Sequence, residues 1–318
     1  MKHKLIIEWL LSQTDHIVGD PYSEFNLWKP VYLKTIASWT DPIDCAIAGG
    51  FVADRIAYAF TAGYQASLRS LLPSLPFDTI AALCVSEEGG GHPRQIKTTL
   101  RQIDQKESIS PLWEINGRKK FITNASEASR LLIAASAGEM PDGKNQIQMI
   151  EIERDAPGIT VIPMKELPFV PEISHGILLL EGVHVKEENL LPGDGYLKYI
   201  KPFRTIEDIH VSTAIIGYLF RIAGQYGWPR DIQEKCLFIF SGFRSLSAED
   251  PGNPAVHIAL AGILNQLVRL VDDIEPYWAN VEAVTRSAWI RDRKLLDIAR
   301  EARSMRLKAA WSYFTKSS

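Results

Sequence analysis

Leu83-Cys84-Val85-Ser86-Glu87-Glu88-Gly89-Gly90-Gly91-His92-Pro93, with Asn116-Gly117-Arg118-Lys119-Lys120-Phe121-Ile122-Thr123-Asn124 further on, is the stretch whose reading decides the fold. The first part reads as a strand ending in a glycine turn. The second reads as a hairpin turn at Asn116-Gly117 followed by a strand. A glycine turn exposes backbone N–H groups that hold phosphate. Phe121 and Thr123 stand two residues apart, so a strand puts them on one face, where an aromatic supports a flat heterocycle and a hydroxyl donates to its edge. Together they point to a dinucleotide lying across a β-domain.

Outward from that stretch the periodicity changes twice. Residues 1 to about 75 have helical spacing, best from Cys45 to Leu71, where Ile47, Phe51, Ile56, Phe60 and Tyr64 recur roughly every four residues. Pro73 and Pro76 end that helix. From Thr79 to about Pro192 the runs are short: Ala81–Val85, Ile96–Leu100, Trp113–Ile115, Lys119–Ile122, Leu131–Ala135, Ile147–Ile152, Ile159–Ile162 and Ile177–Leu180. Turn signals such as Pro141-Asp142-Gly143 separate them, which predicts an antiparallel barrel or sandwich. After Gly195 helices return, over Ile206–Tyr226, Asp231–Ser245, Pro254–Trp278 and Ala288–Phe314. The expected α+β chain has a helical N-terminal domain (1–77), a central β-domain (78–195) and a C-terminal helical bundle (196–318).

Composition narrows the function classes. The 318 residues suffice for two or three domains with substantial cores. The net charge of -3 comes from interspersed acids and bases, and no basic block suggests nucleic acid. Three separated cysteines form no CxxC pair, which argues against a zinc site or disulfide framework and for a reducing compartment. Glu8 interrupts the apolar run at the N-terminus and no small-residue cleavage site follows, so an amphipathic first helix and a cytoplasmic location are expected. No apolar stretch reads as long enough to cross a membrane. The seven histidines lack metal spacing, no serine sits in GxSxG, and Gly89–Gly91 does not continue as GxGxxG into a helix.

This order of domains and these motifs resemble the acyl-CoA dehydrogenase family, most clearly from Leu83 to Phe220. The resemblance implies FAD as cofactor, an acyl-CoA substrate, an electron-transfer partner and homodimerisation through the C-terminal bundle. Ser86-Glu87 with Gly91-His92 is similar to the family's first flavin loop, in which the first hydroxyl bonds the flavin ring and a later serine the pyrophosphate. Ser86 keeps the hydroxyl, while His92 and Pro93 replace the phosphate-side Ser-Asp. Lys120-Phe121-Ile122-Thr123-Asn124 looks like the family's Trp-Ile-Thr-Asn strand, whose aromatic covers the flavin and whose threonine donates to N5. The alternatives are a ligand-free glycine loop and an ordinary strand with Phe121 in the core. Ile177–Val185 and Glu188–Gly193 resemble the segment closing the β-domain, with His184 a strand residue.

The family's reaction is α,β-dehydrogenation of an acyl thioester, with a carboxylate as base. The usual C-terminal glutamate has no counterpart here. A minority branch carries the base on the first C-terminal helix, ten residues before a glycine, and counting back from Gly217 gives Glu207. The alternative is a first-turn acid, after Thr205 as N-cap, that complements the helix dipole. Asp208 stands where the family has arginine, and adjacent carboxylates disfavour each other's ionisation. Gly242-Phe243-Arg244 lies where members carry an adenine-binding segment and does not match it. Arg300, Arg303, Arg306 and Lys308 read as the solvated basic face of an amphipathic helix. Two functions follow as expectations: an FAD-dependent acyl-CoA dehydrogenase, or a degenerate member that binds acyl-CoA or a partner without redox activity.

Overall fold

The computed structural model describes residues 5–13, 22–103 and 111–315, which fall into two compact units. One unit gathers the chain up to Phe77, the segment Leu167–Glu172 and everything from Arg204 onward; the other holds Asp78–Glu166 and Ile173–Phe203.

The first unit is helical. It opens with α1 (Ile6–Ser12), which buries Ile6 and Leu10 as an amphipathic helix should; Met1–Lys4 lie outside the described residues. α2 (Phe25–Ile36) follows. The single helix expected over Cys45–Leu71 is two, α3 (Pro42–Phe51) and α4 (Ile56–Leu71). Asp41 caps α3 by accepting from Ile43 N at 3.1 Å, and Pro42 sits in the first turn. The break falls at Asp54-Arg55, where Arg55 is extended (φ -150°) and Asp54 accepts from Tyr22 N at 2.7 Å and from its neighbour's guanidinium. Polar groups thus satisfy a turn that apolar spacing alone does not reveal.

The later helices are α5 (Lys201–Gln225), α6 (Arg230–Ser247), α7 (Pro254–Ile274), α8 (Ala283–Asp292) and α9 (Arg300–Thr315). The last helix expected, Ala288–Phe314, is likewise divided, by a 3₁₀ turn at Arg293–Asp297 beside fully buried Asp292. Glycines let α3 approach α5: a Cβ at Gly50 would stand 1.9 Å from Ala214 O, and one at Gly217 would stand 2.3 Å from Ile47 O. By length and composition Pro254–Asn280 passes as a membrane span, which corrects the expectation that no stretch is long enough. One face of α7 is buried through Val256, Leu260, Leu267, Leu270 and Ile274, the pattern of a helix packed in a bundle.

The second unit is a seven-stranded sheet of β1 (Ala81–Cys84), β2 (Thr99–Ile103), β3 (Leu112–Thr123), β4 (Arg130–Glu139), β5 (Asn145–Glu153), β6 (Ile159–Pro163) and β7 (His175–Lys186). The order is β1-β4-β2-β3-β7-β6, with β5 on the other edge of β4. Pairing is mostly antiparallel as expected, with two parallel neighbours, β1–β4 and a brief β2–β4 contact at Thr99 and Ser136. Cys84, Leu100, Ile115, Ile122, Leu131, Ile133, Leu178 and Val183 fill its core.

The hairpin expected at Asn116-Gly117 does not form; β3 runs through it as one twelve-residue strand. Its partner β7 carries an extra residue there instead, because Ile115 faces Val183 while Gly117 faces Leu180. Gly182 occupies that bulge at φ +61°, and its N–H donates to Asn116 Oδ1 at 2.7 Å. Asn116 therefore holds a bulge rather than a turn. A second bulge lies between Lys119 and Ile122, now with the extra residue on β3.

Candidate functional site

The glycine loop is anchored by an ion pair inside the β-unit. Glu87 and Gly90 exchange backbone hydrogen bonds at 3.0 and 3.1 Å, closing a tight turn with Gly90 at φ +102°. The Glu87 side chain turns inward and accepts from Lys97 N (2.8 Å), Thr98 N (3.0 Å), Thr98 Oγ1 (2.8 Å) and Lys119 Nζ (2.7 Å). Lys119 is fully buried and also donates to Val85 O at 3.3 Å. Burial pushes the Glu87 carboxyl up, but Lys119 and the two backbone N–H groups outweigh it and hold it below the usual range. Lys119 is itself lowered by burial, which the glutamate partly opposes.

That anchor sets the exposed side of the loop. Ser86 O accepts from Lys120 N at 2.8 Å, so Ser86 lies beside the second bulge of β3. A Cβ on Gly91 would stand 3.3 Å from Ser86 Oγ, which puts these two residues in contact range. Phe121 is the bulge residue, at φ +61° and 55% exposed. A bulky side chain in the left-handed region costs roughly 1–2 kcal/mol, and such strain concentrates at functional sites. The core reading of Phe121 is therefore corrected: the bulge turns its ring out of the core, over Lys120 Nζ at 5.2 Å from the centroid. Ile122 points inward and Thr123 shares the outer side with Phe121. Among the described residues the Ser86 and Thr123 hydroxyls have no hydrogen-bond partner.

His92 is exposed and caps the short turn Pro93–Gln95, its Nδ1 accepting from Arg94 N at 3.3 Å. The neutral ring then carries its proton on Nε2. The Gly91 and His92 amides have no backbone acceptor among the described residues, whereas Pro93 has no N–H to offer. An exposed strained aromatic, two unpartnered hydroxyls and two open amides are donors and cover of the kind a flavin requires. The residues present fit that group at its ring, and on its phosphate side through amides and imidazole in place of serine.

In the helical unit, α5 starts at Lys201, earlier than expected, so Thr205 is no cap and Glu207 lies beyond the first turn. The helix-dipole explanation of Glu207 loses its basis, since that effect fades within one turn. Glu207 is partly exposed and has no hydrogen bond or ion pair among the described residues. Burial and then the charge of Asp208 push its carboxyl up to about 7, against the pull of Arg204 and Arg303. One turn on, His210 is buried, hydrogen-bonded through Nδ1 to Ile206 O at 2.8 Å, and pushed down to about 4 by burial.

Asp208, on α5, is 7% exposed and is engaged by α9: Arg303 reaches it at 2.7 and 2.9 Å, and Arg306 reaches its other oxygen. Arg303 and Arg306 are therefore not part of a solvated face, which corrects the expectation for those two, while Arg300 and Lys308 are exposed as expected. Arg244 is likewise committed, to Asp44 of α3. Neither Lys119 nor the α9 pair carries a motif; the one available signal was a lysine at an inward position of a strand four residues after Ile115. His184 is an exposed strand residue 3.8 Å from Glu114, as expected.

Comparison with known proteins agrees with this geometry. Residues 82–183 match the acyl-CoA dehydrogenase middle-domain family. The chain is 36% identical over 107 residues to a probable acyl-CoA dehydrogenase, YngJ, of Bacillus subtilis, covering 33% of this chain and 27% of that protein. It is 29% identical over 165 residues to benzylmalonyl-CoA dehydrogenase of Aromatoleum aromaticum, covering 47% and 37%. The matched segments thus span well under half the length of these curated relatives. Over nearly the whole chain the fold resembles butyryl-CoA dehydrogenase from Megasphaera elsdenii, with TM-score 0.66, 16% identity, and 96% of this chain and 94% of that one covered. It also resembles FMN-bound TdsC from Paenibacillus sp. A11-2, with TM-score 0.67, 14% identity, and 92% and 90% covered. With the loop and the bulged strand in place, residues 82–183 carry the middle domain of the acyl-CoA dehydrogenase family, and nearly the whole chain shares the fold of those solved structures.

Proposed function

We propose that this protein is a flavin-dependent dehydrogenase acting on the α,β bond of an acyl-CoA, with FAD as its flavin. The observation that carries the reading is Phe121, held out of the core at positive φ beside the hydroxyls of Ser86 and Thr123, which have no hydrogen-bond partner among the described residues. Ser86 and Thr123 would donate to the edge of the ring, Phe121 would cover its face, and Gly91 with His92 would serve the phosphates. A bound flavin supplies a hydride acceptor. Glu207 would remove the α-proton: a carboxylate with no competing hydrogen bond among the described residues and a proton affinity near neutrality is matched to that transfer. The division at 77/78 and 195/196, a homodimer, an electron-transfer partner and a cytoplasmic setting belong to the same proposal.

A second reading has its own support. Pro93 and the committed Arg244 remove phosphate-side donors, which favours a degenerate member that binds acyl-CoA or a partner without flavin. Titration of the purified chain with FAD, followed by flavin fluorescence and gel filtration, decides between them. Retained yellow protein and weaker retention by Ser86→Ala or Phe121→Gly are expected. Absence of uptake at high FAD would leave the second reading.

A further inference from the structure

The acid beside Glu207 has an unusual arrangement. Asp208 accepts from Arg303 Nε and a terminal nitrogen on one oxygen and from Arg306 on the other. Arg303 is fixed further by donating to Leu296 O at 3.0 Å, and Arg306 by donating to Thr205 Oγ1 at 3.3 Å, one turn before Asp208. Two guanidinia from α9, nearly a hundred residues away in sequence, therefore share one buried carboxylate and brace the turn of α5 that carries Glu207.

We propose that Asp208, Arg303 and Arg306 form a positioning set for Glu207, through which α9 fixes the carboxylate's place and the charge around it. The inference rests on the reading of Glu207 as base. Alone, Asp208 would oppose ionisation of its neighbour. Two guanidinia on one carboxylate leave a net positive charge before Glu207 is counted, and Arg204 from α5 adds another. The charged groups acting on Glu207 are thus Asp208 and Arg204 from its own helix and Arg303 from α9; His210 stays neutral. Planar guanidinia with both oxygens engaged also fix orientation, which lysines would not do equally well.

The test uses the full chain and reads Glu207 directly, as the carboxyl signal of ¹³C-labelled glutamate that disappears in Glu207→Gln. Arg303→Gln is expected to weaken Glu207 as an acid by about tenfold, and Asp208→Asn to strengthen it by about tenfold. Arg303→Lys, which keeps the charge, should restore most of the first shift. Opposite shifts of this kind support the set. Folded variants that lose thermal stability but leave the Glu207 titration unmoved would overturn it. If Arg303→Gln does not fold, the sign for Asp208→Asn decides alone: no shift, or a shift upward, refutes the proposal. Shifts as stated in a protein without dehydrogenase activity would uphold the coupling and remove the base reading, so the two failures are distinguishable.

Discussion

Glu87 is buried and Glu207 partly buried, and the chain treats the two glutamates in opposite ways. Glu87 has a buried lysine, a hydroxyl and two backbone amides on its oxygens, so it stays ionised below the usual range. Glu207 has neighbouring charges and no hydrogen bond among the described residues, so its proton is held to about 7. The first arrangement engages both carboxylate oxygens in holding a loop to a strand. The second leaves lone pairs for something else. A carboxylate's burial therefore says little about its task until its partners are counted.

The largest effect expected from breaking this contrast is at Lys119. Lys119→Met would strand the Glu87 charge in the core, and removing one partner of a buried pair costs about 3–5 kcal/mol. Urea unfolding at pH 7 measures this. Adding Glu87→Gln should recover a large part of the loss, since the uncompensated charge disappears with it. A cost below about 1 kcal/mol for Lys119→Met would mean that the pair does not hold the loop, contrary to its geometry.

The next effect separates the two glutamates by pH. Glu87 is lowered, so its contribution is complete above the ordinary glutamate range and is lost as pH falls below it. Glu207 is raised, so the sign reverses: the unfolded chain ionises near 4.5 while the native state keeps its proton to about 7, and stability drains as pH rises across that interval. Glu207→Gln should therefore be neutral at pH 4 and stabilising by about 2–3 kcal/mol at pH 8. Thermal melts across that range check it. A pH-independent difference would show that Glu207 titrates as an ordinary exposed acid.

How much of this contrast was legible in the sequence follows from where the partners lie. Alternation and turn residues located the strands, and Ser86, Gly91, Phe121 and Thr123 were identifiable because their neighbours in space are near in the chain or one strand away. Asn116-Gly117 misled because the same pair that makes a hairpin also suits a bulge, and the choice belongs to Gly182 on β7, some 65 residues on. The burial of Lys119 needs the register of β3, since in isolation Arg118-Lys119-Lys120 reads as a solvated run. The pairing of Asp208 with Arg303 and Arg306 needs the packing of α5 against α9, which no local pattern encodes.

The smallest effect expected is at Phe121, and it sharpens the contrast by asking which side of the loop is structural. At φ +61° with its ring largely exposed, Phe121 carries strain that little burial offsets. Phe121→Gly removes the Cβ that makes this conformation costly and should leave stability unchanged or raise it by about 1 kcal/mol. Flavin retention should fall at the same time, as the ring loses its cover. Urea unfolding and FAD titration on one preparation test both signs. A residue kept for packing would show the reverse, a clear loss of stability with flavin binding untouched. The inward side of the loop, with Glu87 and Lys119, should follow that packing pattern, and the outward side should not.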